Sequence, residues 1–145
     1  MKPNEVMIGD WVEPDQCMVP TMYTRVAMIM TDGVYMEEAE RQFDFEELHP
    51  IYVTKEILEA NGITLLEVGD NGPATPKKHL NRYEKWFIHT TWKDTFLWYD
   101  RMADHWHLQD MSGARFHHVH ELQHALRLAG LAELADNFKI MKGGQ

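Results

Sequence analysis

Short apolar runs separated by turn-forming residues dominate the first third of the chain. Met7-Ile8-Gly9-Asp10-Trp11-Val12 places apolar residues around a glycine, with Pro14 and Asp15 behind them. This predicts a first strand bent at Gly9. Arg25 to Met30 predicts a second strand. Thr31-Asp32-Gly33 predicts a hairpin turn, because Asp-Gly supplies the positive φ of a two-residue turn. Val34 to Met36 opens a third strand. Phe43 and Phe45, alternating with Gln42 and Asp44, give a fourth. Strands this short and this closely spaced predict a small antiparallel barrel or strongly bent sheet.

Pro50 ends that pattern. Thr54 is a good N-cap, Glu56 suits a first turn and Gly62 a helix stop, so a helix is expected over 55–61 with Ile57 and Leu58 inward. Ile63 to Val68 reads as a strand, and 69–79 as a loop rich in Gly, Pro and Asn. Alternation around Glu84 to His89, Thr95 to Tyr99 and His105 to Leu108 predicts a β-meander with an aromatic core face. Val119, Leu122, Leu126 and Ala129 recur at spacings of three and four. With Ala125, Leu128 and Leu134 they predict one helix over 119–136, and a frayed end from Lys139. The expected fold class is α+β. Residues 1–50 form a small β-barrel-like lobe, and 51–145 a lobe of helix, aromatic-rich meander and C-terminal helix.

Composition narrows the class. The chain has 145 residues, 44% apolar and 26% charged, as expected of a globular protein. Its longest apolar run, Val26 to Met30, is far short of the ~20 residues of a membrane helix, so no membrane span is expected. Met1-Lys2-Pro3-Asn4-Glu5 lacks the apolar stretch of a secretory signal. The single cysteine, Cys17, excludes an internal disulfide and a thiolate zinc cluster, and beside Met18 and Val19 it reads as a packing residue. A cytoplasmic location is expected. Net charge is −9, concentrated early: residues 1–50 carry three basic and eleven acidic side chains. Non-specific nucleic-acid binding needs cations facing phosphates, so this half is a poor nucleic-acid surface. A solvated acidic face is the plain reading, and a surface for a basic protein partner the sharper one.

Two features could carry chemistry. Eight aromatic residues fall between Tyr83 and Trp106. The plain reading is core, and the functional one is a binding surface at Trp86, Trp92, Trp98 and Trp106 that stacks a base, sugar or peptide. The cations that usually flank stacking sites are here mixed with acids. The second feature lies among nine histidines: His120-Glu121-Leu122-Gln123-His124 spells H-E-x-x-H. On a helix, residues four apart face one way, so His120 and His124 could grip a Zn²⁺ while Glu121 acts as general base. Catalytic zinc also wants a third protein ligand. Downstream, Arg127 and Gly130 stand where a third-histidine continuation would need glycine and histidine, so the ligand would come from upstream, at His105, His107 or His117. The motif also falls in the first turns of its helix. The plain reading is a set of surface and helix-end histidines. No phosphate-binding glycine loop and no nucleophile elbow occur.

Three stretches carry a resemblance: Ile8-Gly9-Asp10-Trp11-Val12; His49-Pro50-Ile51-Tyr52-Val53-Thr54-Lys55-Glu56-Ile57-Leu58-Glu59-Ala60-Asn61-Gly62; and Val119-His120-Glu121-Leu122-Gln123-His124-Ala125-Leu126, continuing to Glu133-Leu134. In this order they resemble a group of small uncharacterised proteins of Bacteroides-type gut bacteria and their phages and mobile elements. The resemblance implies a Src-homology-3-like barrel, a linking helix, and a sheet packed on a C-terminal helix. It brings no known activity and no cofactor. In that pattern the place of His120 is usually histidine, but that of Glu121 is often glutamine and that of His124 often asparagine. A structural role for His120 at a strand-to-helix junction follows from the resemblance. The chain departs from the pattern at Ala125 and Gly130.

The expected function is a non-enzymatic protein-interaction module of phage or mobile-element origin, with no cofactor and an unidentified protein partner. The alternatives are a zinc-binding protein or metallopeptidase-like hydrolase using His120, Glu121 and His124, and single-stranded nucleic-acid binding through the aromatic sheet.

Overall fold

A computed structural model describes residues 1–15, 23–37, 41–69, 82–109 and 114–140. Cys17 and the loop residues 70–79 lie outside them. The chain is α+β, built from two antiparallel sheets and few helices. No helix among the described residues is long and apolar enough to cross a membrane.

The first sheet contains β1 (Trp11–Pro14), β2 (Thr24–Ile29), β3 (Val34–Met36), β4 (Gln42–Phe43) and β5 (Leu48–His49), in the order β4-β3-β2-β1-β5. Three expectations change here. The first strand begins after Gly9, not before it. Met7 to Asp10 is a turn closed by Asp10 N–H to Met7 O at 3.1 Å, with Gly9 at φ +93. Gly33 does not use a positive φ. It is needed because a Cβ there would meet Phe43 O at 2.3 Å, as β3 folds back against β4. Phe45 lies outside the fourth strand and opens a 3-10 turn, Phe45–Glu47, capped by Asp44 and Glu47. That turn reverses the chain into β5, which pairs β1 at Glu13–His49 and Pro14–Leu48. Val12, Val26, Val34, Phe43 and Leu48 bury one face of this sheet in a first core cluster.

Helix α1 (Lys55–Ala60) starts where expected, with Thr54 Oγ1 accepting from Ile57 N–H at 3.3 Å. The second sheet runs β6 (Thr64–Gly69), β7 (Tyr83–His89), β8 (Asp94–Asp100) and β9 (His105–Leu108) in simple meander order. Alternation sends Trp86, Ile88, Leu97, Trp106 and Leu108 to one face. There they pack on α1 and the C-terminal helices in a second core cluster.

The expected helix over 119–136 is two helices, α2 (Val119–Leu128) and α3 (Ala132–Asp136). The break is a Schellman motif: Gly130 takes φ +85, its N–H bonds Arg127 O at 3.2 Å, and Leu131 N–H bonds Leu126 O at 2.8 Å. Apolar spacing continues across the break because Leu131 and Ala135 stay buried. Residues 137–140 are fastened rather than frayed. Phe138 and Ile140 are buried in the second cluster, and Lys139 exchanges two hydrogen bonds with the Asn61 side chain at 2.7 and 2.8 Å.

Candidate functional site

The H-E-x-x-H segment lies at the joint between the two sheets. Val119, Leu122, Ala125 and Leu126 face the second core, so the intervening positions of α2 turn toward the first strand. Gln123 has no exposed surface and ties three backbones together. Its Oε1 accepts from Trp11 N–H at 3.0 Å, and its Nε2 donates to Gly9 O at 2.9 Å and Ala135 O at 3.2 Å. Trp11 Nε1 adds a bond to Phe138 O at 2.6 Å.

One turn on, His124 Nε2 lies 2.8 and 3.0 Å from the two carboxylate oxygens of Asp10. Asp10 is fully buried. It also accepts from Met7 N–H at 2.8 Å and Arg127 Nη1 at 3.3 Å. Gly9 has a second constraint here, since a Cβ would stand 3.0 Å from Arg127 Nη2. Gly9→Ala combines a disfavoured φ with that contact. It is expected to lower stability by about 2 kcal/mol, read as a lower urea midpoint. An unchanged midpoint would contradict this.

Glu121 has a different task. Its Oε1 accepts from the N–H groups of His117 (3.3 Å) and His118 (3.2 Å) and lies 2.7 Å from His118 Nδ1. It is the reach-back acid of a helix N-cap. Burial would raise its carboxyl, but these bonds outweigh burial and hold it below the usual range. His120 is 6% exposed, and its Nδ1 has no hydrogen-bond partner. Its ring stacks on His118 at 5.7 Å and meets His124 edge-on at 5.7 Å. Burial, with the neighbouring imidazoles, pushes its pKa down against the pull of Asp10 and Glu121.

These histidines line an open groove of about 590 Å³ facing His49, Glu5 and Glu46 of the N-terminal half. Among the described residues, no three His, Cys, Asp or Glu side chains gather as an ion's ligand set. Of the upstream candidates, only His117 shares the groove. In β9, Trp106 and Leu108 take the core face, so His105 and His107 point to the opposite one.

Four tryptophans were the candidates for a stacking surface beside the plain reading as core, and three of them are buried. Trp86 (1% exposed) and Trp106 (6%) are core residues with ring centroids 6.1 Å apart. Trp98 (7% exposed) lies on the other face beneath Lys85 Nζ, 5.4 Å from its ring, and bonds Gln109 Oε1 at 3.3 Å. Only Trp92, in the β7–β8 turn, is exposed. The strand period put the aromatic residues on both faces of the sheet, not along one face.

His107 on that second face makes the fold sensitive to acid. Burial, then the charges of Arg115 and His105, pushes it from 6.5 to about 4. An unfolded imidazole takes its proton near 6.5 and the folded one only near 4. Stability is therefore complete above 6.5 and drains away as pH falls between those values, by about 3 kcal/mol. His120 shifts the same way. The urea midpoint should fall between about pH 7 and about pH 4.5, and His107→Gln should flatten much of that slope. A flat wild-type profile would contradict it.

Asp10, Gln123 and Arg127, the residues that hold this joint, were not singled out by motif reading. The signal available for Gln123 was a polar residue inside the apolar stripe Leu122–Leu126. Compared with known proteins, the chain matches no family model, no curated protein and no solved structure.

Proposed function

We propose that the protein is a non-enzymatic protein-interaction module of phage or mobile-element origin, working in the cytoplasm, with no resident cofactor. One observation carries this reading. Two of the three side chains a hydrolase would use at the H-E-x-x-H segment are bound into the architecture: His124 to buried Asp10, Glu121 to the backbone at the start of α2. Glu121 is held through its Oε1 as the reach-back acid of the α2 cap. The order β4-β3-β2-β1-β5, with a 3-10 turn joining β4 to β5, supports a Src-homology-3-like barrel for the N-terminal lobe. Small barrels of this kind engage partners through loops and edge strands.

The second reading is a zinc site at His120 and His124. In its favour, the His120 ring has an unpartnered Nδ1 and faces His124 and His118 across one groove. Of the four tryptophans that stacking of single-stranded nucleic acid would use, only Trp92 is exposed.

The purified chain, immobilised through an added tag, should retain a specific protein from its native lysate and release it to excess untagged chain. Turnover of a small substrate without any retained protein would overturn the proposal.

A further inference from the structure

A second groove, of about 440 Å³, runs between the first sheet and α1. Its apolar lining includes Ile51, Ile57 and Ile140, its aromatic sides are Tyr23 and Tyr52, and Glu13 and Glu56 sit on it. Tyr52 is 67% exposed and stands between this groove and a smaller one lined by Glu84 and Asp104. Among the described residues, no lysine or arginine lines the larger groove.

Glu37, Glu47 and Glu84 are each paired with an arginine. Glu13 and Glu56, the two carboxylates on the groove, pair with no cation among the described residues. They flank an apolar floor of Ile51, Ile57 and Ile140. An apolar lining with unpaired carboxylates complements a segment that alternates apolar and cationic side chains. The exposed tyrosine faces add favourable contacts for a guanidinium or ammonium group. A second copy of the chain is a poor occupant, because each copy carries net −9.

Resting on the interaction-module reading, we infer that this groove receives an extended basic segment of the protein partner. The partner's apolar side chains lie on Ile51, Ile57 and Ile140. Its lysine or arginine side chains lie against Glu13, Glu56 and the Tyr52 ring.

The test uses the full ¹⁵N-labelled chain and three synthetic peptides of about eight residues, alternating valine with arginine, with serine or with glutamate. The arginine peptide should bind, shift the amides of Glu13, Tyr52 and Glu56, and weaken as salt rises from about 50 to about 300 mM. The double variant Glu13→Gln/Glu56→Gln, altered only in groove carboxylates, should bind it about fivefold more weakly and bind the serine peptide unchanged. Tyr52→Ala should weaken both peptides. Equal affinity for the arginine and glutamate peptides, or shifts confined to another face, would overturn the groove. So would self-association that Tyr52→Ala abolishes, which would make a second copy the occupant. An independently isolated partner that binds these variants undiminished refutes the groove and leaves the module reading standing. Arginine-peptide binding in a chain that also turns over a substrate refutes the module reading instead.

Discussion

Asp10→Ala should destabilise the protein by about 4 kcal/mol, measured by urea denaturation near neutral pH. The carboxylate is fully buried and has three partners, Met7 N–H, His124 Nε2 and Arg127 Nη1, with both oxygens reaching His124. Removing it strands a guanidinium whose side chain is only 15% exposed. It also leaves the Met7 N–H without its acceptor. Arg127 keeps one weaker contact to Asp136 at 3.3 Å, which limits the loss. Asp10→Asn keeps the shape and an acceptor for Met7 but removes the charge, so about half the loss is expected. A loss below about 1 kcal/mol for the alanine variant would mean the joint does not hold the fold.

Gln123→Ala should cost a similar amount, about 4 kcal/mol, by a different route. No charge is involved. The Trp11 N–H and the carbonyls of Gly9 and Ala135 lose their partner at a site with no exposed surface. Each stranded group costs on the order of 1–3 kcal/mol, and the vacated volume adds a cavity penalty. Gln123→Leu separates the two causes. It restores volume and apolar surface but none of the bonds, so it should remain within about 1 kcal/mol of the alanine variant. A leucine variant as stable as wild type would show that packing, not polar pairing, fixes α2 against β1.

What could be read from the sequence divides along the range of the interactions involved. β7, β8 and β9 were legible to within a residue, because each is a short run of aromatic and apolar residues and their hairpin partners are neighbours in the chain. α1 was legible because Thr54 and Gly62 mark its ends locally. β5 was not. Leu48 and His49 become a strand only through pairing with Glu13 and Pro14, more than thirty residues earlier. The break between α2 and α3 escaped a periodicity argument because the apolar stripe continues through Gly130. The left-handed turn there is a backbone event that side-chain spacing does not register.

The histidine site shows the same limit. His120, Glu121 and His124 form a recognisable metal motif by spacing alone. Their tasks are set by Asp10, 114 residues from His124, and by the cap at His118. Spacing on one helix says which side chains share a face and nothing about what faces them. Gln123, between the two motif positions, was the one local clue, since a polar side chain in an apolar stripe requires buried partners.

These histidines belong to a structural joint, and zinc tests that most directly. Protein prepared without a metal-affinity column should carry less than about a tenth of an equivalent of zinc, and its melting temperature should not move on adding chelator. One equivalent of zinc per chain, lost in both His120→Ala and His124→Ala and accompanied by a chelator-induced drop in melting temperature, would contradict it.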